Sequence, residues 1–210
     1  MPLHETKATH SAFLELREER LGMDEGYRFL DEKRLILAAE ILAQLTRYEQ
    51  LMDEFRVRSA EARAALAAAI ARHGLEGLEL YPAMPGAPAL GPPTMRSVLG
   101  VALEALSDER PDAQELEPER PSAPVDASPE GETCRAAFRT LAPLAGRLAV
   151  LVGNLERLRH EYRRTARRAR AMEDVLLPEL DEALRTVAAA LEEQEREETL
   201  RARSVPVASN

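Results

Sequence analysis

The sequence predicts an all-α protein: a long antiparallel two-helix coiled coil formed by the N- and C-terminal helices, with a small irregular Pro-rich insertion in the middle. Three observations carry that prediction. Ala, Leu, Glu, Lys and Arg make up well over half of the 210 residues, aromatics are only 4% and Trp is absent, which suits long helices with thin cores. Apolar residues recur at heptad spacing near both ends of the chain. Between them, residues 73–132 hold ten of the 14 prolines and six of the 10 glycines, and the periodicity is lost.

The N-terminal helix is expected over residues 11–72, a stretch without proline and with only Gly22 and Gly26. Phe13, Tyr27, Ile41, Tyr48 and Phe55 stand at multiples of seven, and Leu16, Met23, Leu30, Leu37 and Leu51 form a second series offset by three, as a and d positions require. Leu14, Leu21, Leu35 and Leu42 add a flanking stripe, so the apolar face is wider than a two-helix seam needs and implies more than one neighbour. Gly26 inside this helix costs about 1 kcal/mol relative to Ala, which either a close backbone approach or plain tolerance explains.

The insertion is expected over residues 73–132. Residues 81–93 read as a turn-rich loop, 94–106 as a short strand pair or a short helix, and 107–129 as an acidic, Pro-rich, flexible stretch.

A second helical pattern opens near residues 128–133, where N-cap residues stand, and fills 133–203; a disordered tail, 204–210, follows. Leu148, Leu155, Tyr162, Ala169 and Leu176 are seven apart, with Leu151, Leu158, Thr165 and Met172 as the partner series. After Met172 the spacing becomes 4, 4, 4 through Leu176, Leu180 and Leu184. Such a stutter locally unwinds a left-handed supercoil, and it coincides with Pro178, which removes a helix hydrogen bond and bends the axis, so an irregular stretch is expected there.

Two helices of this length span roughly 90 to 105 Å each at about 1.5 Å per residue, and neither buries its stripe alone. With flush ends, antiparallel partners have numbers that sum to about 210. Arg163 to Arg168 then meet Glu40, Glu49, Asp53 and Glu54; Lys33 and Arg34 meet Glu173, Asp174 and Glu179; Glu192 to Glu198 meet Arg17 and Arg20.

A formal net charge of −9 gives the whole chain no attraction to nucleic acid or an anionic membrane surface. The single Cys134 rules out an intramolecular disulfide framework and suits a reducing compartment. With no secretory leader pattern and no run of about 18 apolar residues, the expected location is the cytoplasm, any link to a membrane being made through partners. No catalytic residue, cofactor site or metal site is expected. Gly22-Met23-Asp24-Glu25-Gly26 lacks the Gly-Lys-Ser/Thr of a phosphate-binding loop. His4, His10, His73 and His160 show no metal-ligand spacing, His160 follows Glu156 as an ordinary surface helix pair, and Cys134 reads as an idle thiol.

The most distinctive segment is the basic block from Glu161 to Leu180. Arg163, Arg164, Arg167 and Arg168 repel one another at i, i+4 by a few tenths of a kcal/mol per pair. They form either a solvated face answered by acids of the other helix or a surface for partners, and without interleaved aromatics they make no nucleic-acid stripe. Thr165, Arg167, Arg168, Ala171, Glu173 and Pro178 match the pattern Thr-x-Arg-Arg-Val-Asn-Ala-Leu-Glu followed by Pro, with Ala169, Arg170 and Met172 departing from it. Gly26, Leu30, Lys33 and Arg34 match Gly-x-x-Leu-Leu-x-x-Lys-Arg, and Glu195, Arg196, Glu197, Glu198 and Arg201 make a third match. In this order the three resemble the D-subunit family of the V/A-type rotary ATPases.

That resemblance covers residues 10–55 and 145–203 and implies a non-catalytic central rotor shaft. In the family, the paired termini enter a hexamer of nucleotide-binding A and B subunits, a small F subunit binds the side of the coiled coil, and the loop end meets a membrane-side socket subunit. The middle, where the family usually has a small β-hairpin, is not matched, and Asp24, Glu25, Asp31 and Glu32 stand where the family is commonly basic or neutral. Two other readings exist: the stalk protein of a type III export ATPase, which would lack the insertion and the Arg-Arg…Glu…Pro signature, and a free-standing coiled-coil scaffold, which leaves the three matches unexplained.

Overall fold

The computed structural model describes residues 9–81, 93–106 and 127–204. The expected loop at 82–92, the acidic stretch at 107–126 and the tail at 205–210 lie outside the described residues. In chain order the elements are α1 (His10–Glu79), β1 (Pro93–Val98), β2 (Val101–Leu106), α2 (Pro129–Ala171), a π turn (Met172–Leu176) and α3 (Leu177–Ser204). The fold is all-α, with two long helical runs at the two ends of the chain. Of the alternatives for 94–106, the chain adopts the strand pair.

Each boundary has a local cause. Thr9 caps α1, its hydroxyl accepting the Ala12 N–H at 3.2 Å. The helix is interrupted at Gly74, whose φ of 70° and ψ of 169° only glycine takes at no steric cost, and five further helical residues follow, a stretch for which the sequence gives no periodic signal. Ser128 caps α2 by accepting the Gly131 N–H at 3.0 Å, and Pro129 takes the first helical position, where its missing N–H is no loss. In the hairpin, Leu99 and Gly100 both have positive φ, 47° and 87°, as the two-residue turn matching strand twist requires.

The chain divides into two compact units, Met1–Ile36 with Tyr162–Asn210, and Leu37–Glu161. In the first, the opening of α1 runs antiparallel to the end of α2, the π turn and α3. Arg20 donates to Asp181 at 2.9 Å, Gly26 lies beside Met172, and His10 faces Glu195 at 3.9 Å. These partners have numbers summing to about 200, so the flush register is corrected by some ten residues, because the C-terminal run continues past the start of α1 and its residues 192–203 are all exposed. Several of the charged residues expected to pair in that register take other partners. Glu173 meets Tyr27, Arg34 pairs with Asp31 of its own helix, and Arg196 and Arg201 pair with Glu192, Glu193 and Glu197 of theirs.

The π turn falls on the predicted stutter. Leu177 donates its N–H to the Met172 carbonyl five residues back, and Pro178 follows at once. In a regular helix the ring of Pro178 would crowd the carbonyl four residues earlier, and a wider turn ahead of it relieves that clash.

In the second unit the seam of α1 continues through Leu37, Gln44, Ala62 and Ala69. Gln44 fills the gap in the series between Leu37 and Leu51 and is only 3% exposed, with its Nε2 donating to Glu40 at 2.8 Å. Leu144, Leu148 and Leu158 are the buried seam of α2, and Val101 and Leu103 bury the inner face of the hairpin. Glu40 and Asp53, expected opposite the arginine block, pair instead with Arg96 of the hairpin and with Arg56.

Candidate interaction surface

All the signature residues lie in the first unit, which sorts them into seam and surface. Thr165, 2% exposed, takes a seam position and Ala169 lies one turn on, while Gly26, Leu30, Lys33 and Arg34 are half-buried. Arg167, Arg168, Glu173, Pro178, Glu195, Arg196 and Glu197 are exposed. Gly26 meets no backbone: a Cβ there would stand 3.5 Å from the Met172 side chain, an ordinary contact, so of the two explanations tolerance applies within this chain.

Tyr27 links the two motifs. Its hydroxyl bonds the Glu173 carboxylate, and burial first, then that carboxylate's charge and hydrogen bond, push the phenol pKa up. Seven residues earlier on the same helix, the Asp181 hydrogen bond and charge push the Arg20 guanidinium up as well. Neither residue belongs to a motif; the sequence marks Tyr27 by its heptad position beside Gly26, and Arg20 stands seven residues before Tyr27.

Outside the seam the unit presents three surfaces. Leu14, Leu21 and Leu35 of the predicted flanking stripe are exposed on α1, and so is Phe29, at 60%. Arg163, Arg164, Arg167, Arg168 and Arg170 form an exposed basic face on α2. The last turns of α3 alternate Glu and Arg. Such an arrangement can bind partners through apolar, basic and mixed-charge faces.

The second unit holds polar clusters that the sequence did not reveal. Asn154, 2% exposed amid leucines, accepts the Glu104 N–H at 2.9 Å and donates to the Glu104 carbonyl at 2.7 Å, standing in for a third strand. Arg157 pairs with the Glu104 carboxylate and donates to Asn154 at 3.1 Å. His73 bonds the Ser128 hydroxyl, the Tyr81 hydroxyl takes the Ser128 N–H at 3.0 Å, and the two rings meet edge to face. Ser128 is buried and committed to capping, so this is a clamp rather than a catalytic pair. Burial pushes the Cys134 thiol pKa up, away from the reactive thiolate. Among the described residues no three His, Cys, Asp or Glu side chains converge as a metal site. The sequence has no run of about 18 apolar residues, but by length and composition alone the helical run Pro129–Arg203 contains one 18-residue window, of mean hydropathy 1.3, apolar enough to cross a membrane.

Comparison with known proteins adds a family. The model of the ATP synthase D-subunit family matches residues 12–206. The D subunit of the V-type ATP synthase of Thermotoga neapolitana is 28% identical over 200 residues, covering 92% of this chain and 93% of the relative. Its counterpart in Anaeromyxobacter dehalogenans is 32% identical over 198 residues, covering 93% and 92%. A third, from Thermus thermophilus, is 26% identical over 211 residues, covering 97% and 88%.

Proposed function

Since this chain belongs to the ATP synthase D-subunit family, we propose that it is the non-catalytic central rotor shaft of a V-type rotary ATPase, coupling nucleotide turnover in the hexamer to rotation of a membrane ion ring. The observation that carries this reading is the family match over residues 12–206, and the gathering of the motif residues in one unit supports it. In this reading the exposed leucines of α1, the basic face and the Glu/Arg tip meet the nucleotide-binding A and B subunits. The small F subunit binds the side of the coiled coil, a socket subunit joins it to the membrane ring, and the chain works on the cytoplasmic face without nucleic acid, cofactor or metal.

The physical requirements of a torque element agree. Paired helices resist twisting independently when cross-links such as Arg20 to Asp181 and Tyr27 to Glu173 tie them, and a surface apolar on one side and charged on others presents different faces as it turns.

Affinity purification from the native host tests the assignment. Both large nucleotide-binding subunits are expected to co-purify, and their absence from a preparation holding the intact chain would overturn it. The purified chain alone is expected to hydrolyse no ATP above background.

A further inference from the structure

Both helical runs of the first unit are weakened at one level, each by a different means. On the C-terminal side the π turn Met172–Leu176 replaces regular helical bonding for a turn, and Pro178 follows it. On α1, Gly22 and Gly26 stand one turn apart in a helix with no other glycine before Gly74. Met172 lies against Gly26, and antiparallel pairing sets Gly22 at the level of the end of the π turn. Packing within this chain requires neither glycine: a Cβ on Gly26 makes an ordinary contact, and one on Gly22 meets no described atom within 4 Å.

The seam also carries the least burial there. On the C-terminal run Thr165 and Ala169 are buried and the next buried residue is Leu180, so about three helical turns pass without one. No residue of α1 from Phe13 to Ile36 is buried. The side chain that meets Gly26 across this gap is Met172, unbranched and adaptable. Tyr27 adds one hydrogen bond to Glu173, which water can replace. A stretch with few buried apolar contacts opens and bends at low cost in free energy.

We propose that this level, Gly22 and Gly26 against Met172 to Pro178, is a hinge in the coiled coil. About it the tip, residues 10–21 with 180–204, swings relative to residues 27–36 with 162–171. Leu180, Val187 and Leu191, with the Arg20–Asp181 bond, hold the tip together, and Thr165 and Ala169 hold the other side. The hinge is a property of this chain and stands apart from the rotary-ATPase reading, so its failure leaves the family assignment untouched.

Pulsed electron spin resonance on the full chain tests it, with Cys134→Ala removing the native thiol. Spin labels on Arg163→Cys and Ala189→Cys, both exposed positions, span the hinge along one helical run. Labels on Thr46→Cys and Arg72→Cys, likewise exposed and 26 residues or about 39 Å apart, span unbroken helix within α1 as the control. The distance distribution across the hinge is expected to be at least twice as wide as the control. Gly22→Ala and Gly26→Ala, combined with Pro178→Ala and deletion of Asp174, are expected to narrow it to the control width. Equal widths in the chain without these changes overturn the hinge, and that comparison decides even where the stiffened variant does not fold. A broad distribution that the folded stiffened variant leaves unchanged also overturns it, since the bend then lies elsewhere. Amide hydrogen exchange supplies a reading without labels: the amides of residues 173–177 are expected to exchange at least tenfold faster than those of residues 163–170, and uniform rates overturn the hinge.

Discussion

Two glycines in helices separate conformational need from coincidence. A Cβ on Gly131 would meet the Tyr81 hydroxyl at 2.4 Å, and that hydroxyl is held by the Ser128 N–H. Gly131→Ala is expected to lower stability by about 1–3 kcal/mol through overpacking, read as a lower denaturant midpoint. Gly26→Ala, with its Cβ at an ordinary distance from Met172, is expected to be neutral or to stabilise by up to about 1 kcal/mol, the helix-propensity gain. Tyr27 supplies a pH test. Its folded pKa is raised, so its contribution is complete below the ordinary phenol pKa of 10.0 and is lost as pH rises through the folded value. Wild-type melting temperature should fall more steeply above pH 10 than that of Tyr27→Phe; parallel curves would mean that the Glu173 contact has no energetic weight. In the sequence Gly26 stood out for its motif and Tyr27 for its heptad position, but neither for the partner it meets. Tyr27, Ser128 and Asn154 act through partners 47 to 146 residues away, which no local spacing encodes.

At the scale of elements, the irregularity before Pro178 was legible because stutter and proline fall together, but its form was not, since a bend and a widened turn relieve the same clash. The π turn holds one residue more than a regular turn needs. Pro178→Ala combined with deletion of Asp174 is therefore expected to close it into α-helix and keep Leu180, Val187 and Leu191 in the seam. Deleting Ala183 in the middle of α3 would rotate Val187 and Leu191 about 100° off it. Thermal melts followed by circular dichroism should show the first variant near wild type and the second clearly lower; equal losses would mean the turn is not a spare residue. The hairpin was only half legible, its strand signal too short to separate from a helix. What places it is Asn154, and Asn154→Leu, which leaves the Glu104 N–H and carbonyl without partners, is expected to cost about 1–3 kcal/mol and to speed exchange of the Glu104 amide.

At the scale of the whole molecule, heptads at both ends of the chain sufficed for the pairing and its direction, whereas the register was missed by some ten residues because nothing in a heptad says which partner is longer. That offset sharpens the test of coupling. His10 faces Glu195, so residues beyond it have no described neighbour on α1, and all of 192–203 is exposed. Removing the chain from Glu192 onward takes away no described buried residue, Leu191 being the last of them, so helical content and assembly are expected to survive. If this tip is the bearing of a rotor inside the nucleotide-binding hexamer, its loss leaves hydrolysis running while the torque is conveyed poorly. ATP-driven ion pumping in reconstituted vesicles should then fall further than ATP hydrolysis on the same preparation. Loss of assembly would show the tip to be structural, and undiminished pumping would place the coupling elsewhere on the shaft, on the exposed leucines of α1 or the arginine face of α2.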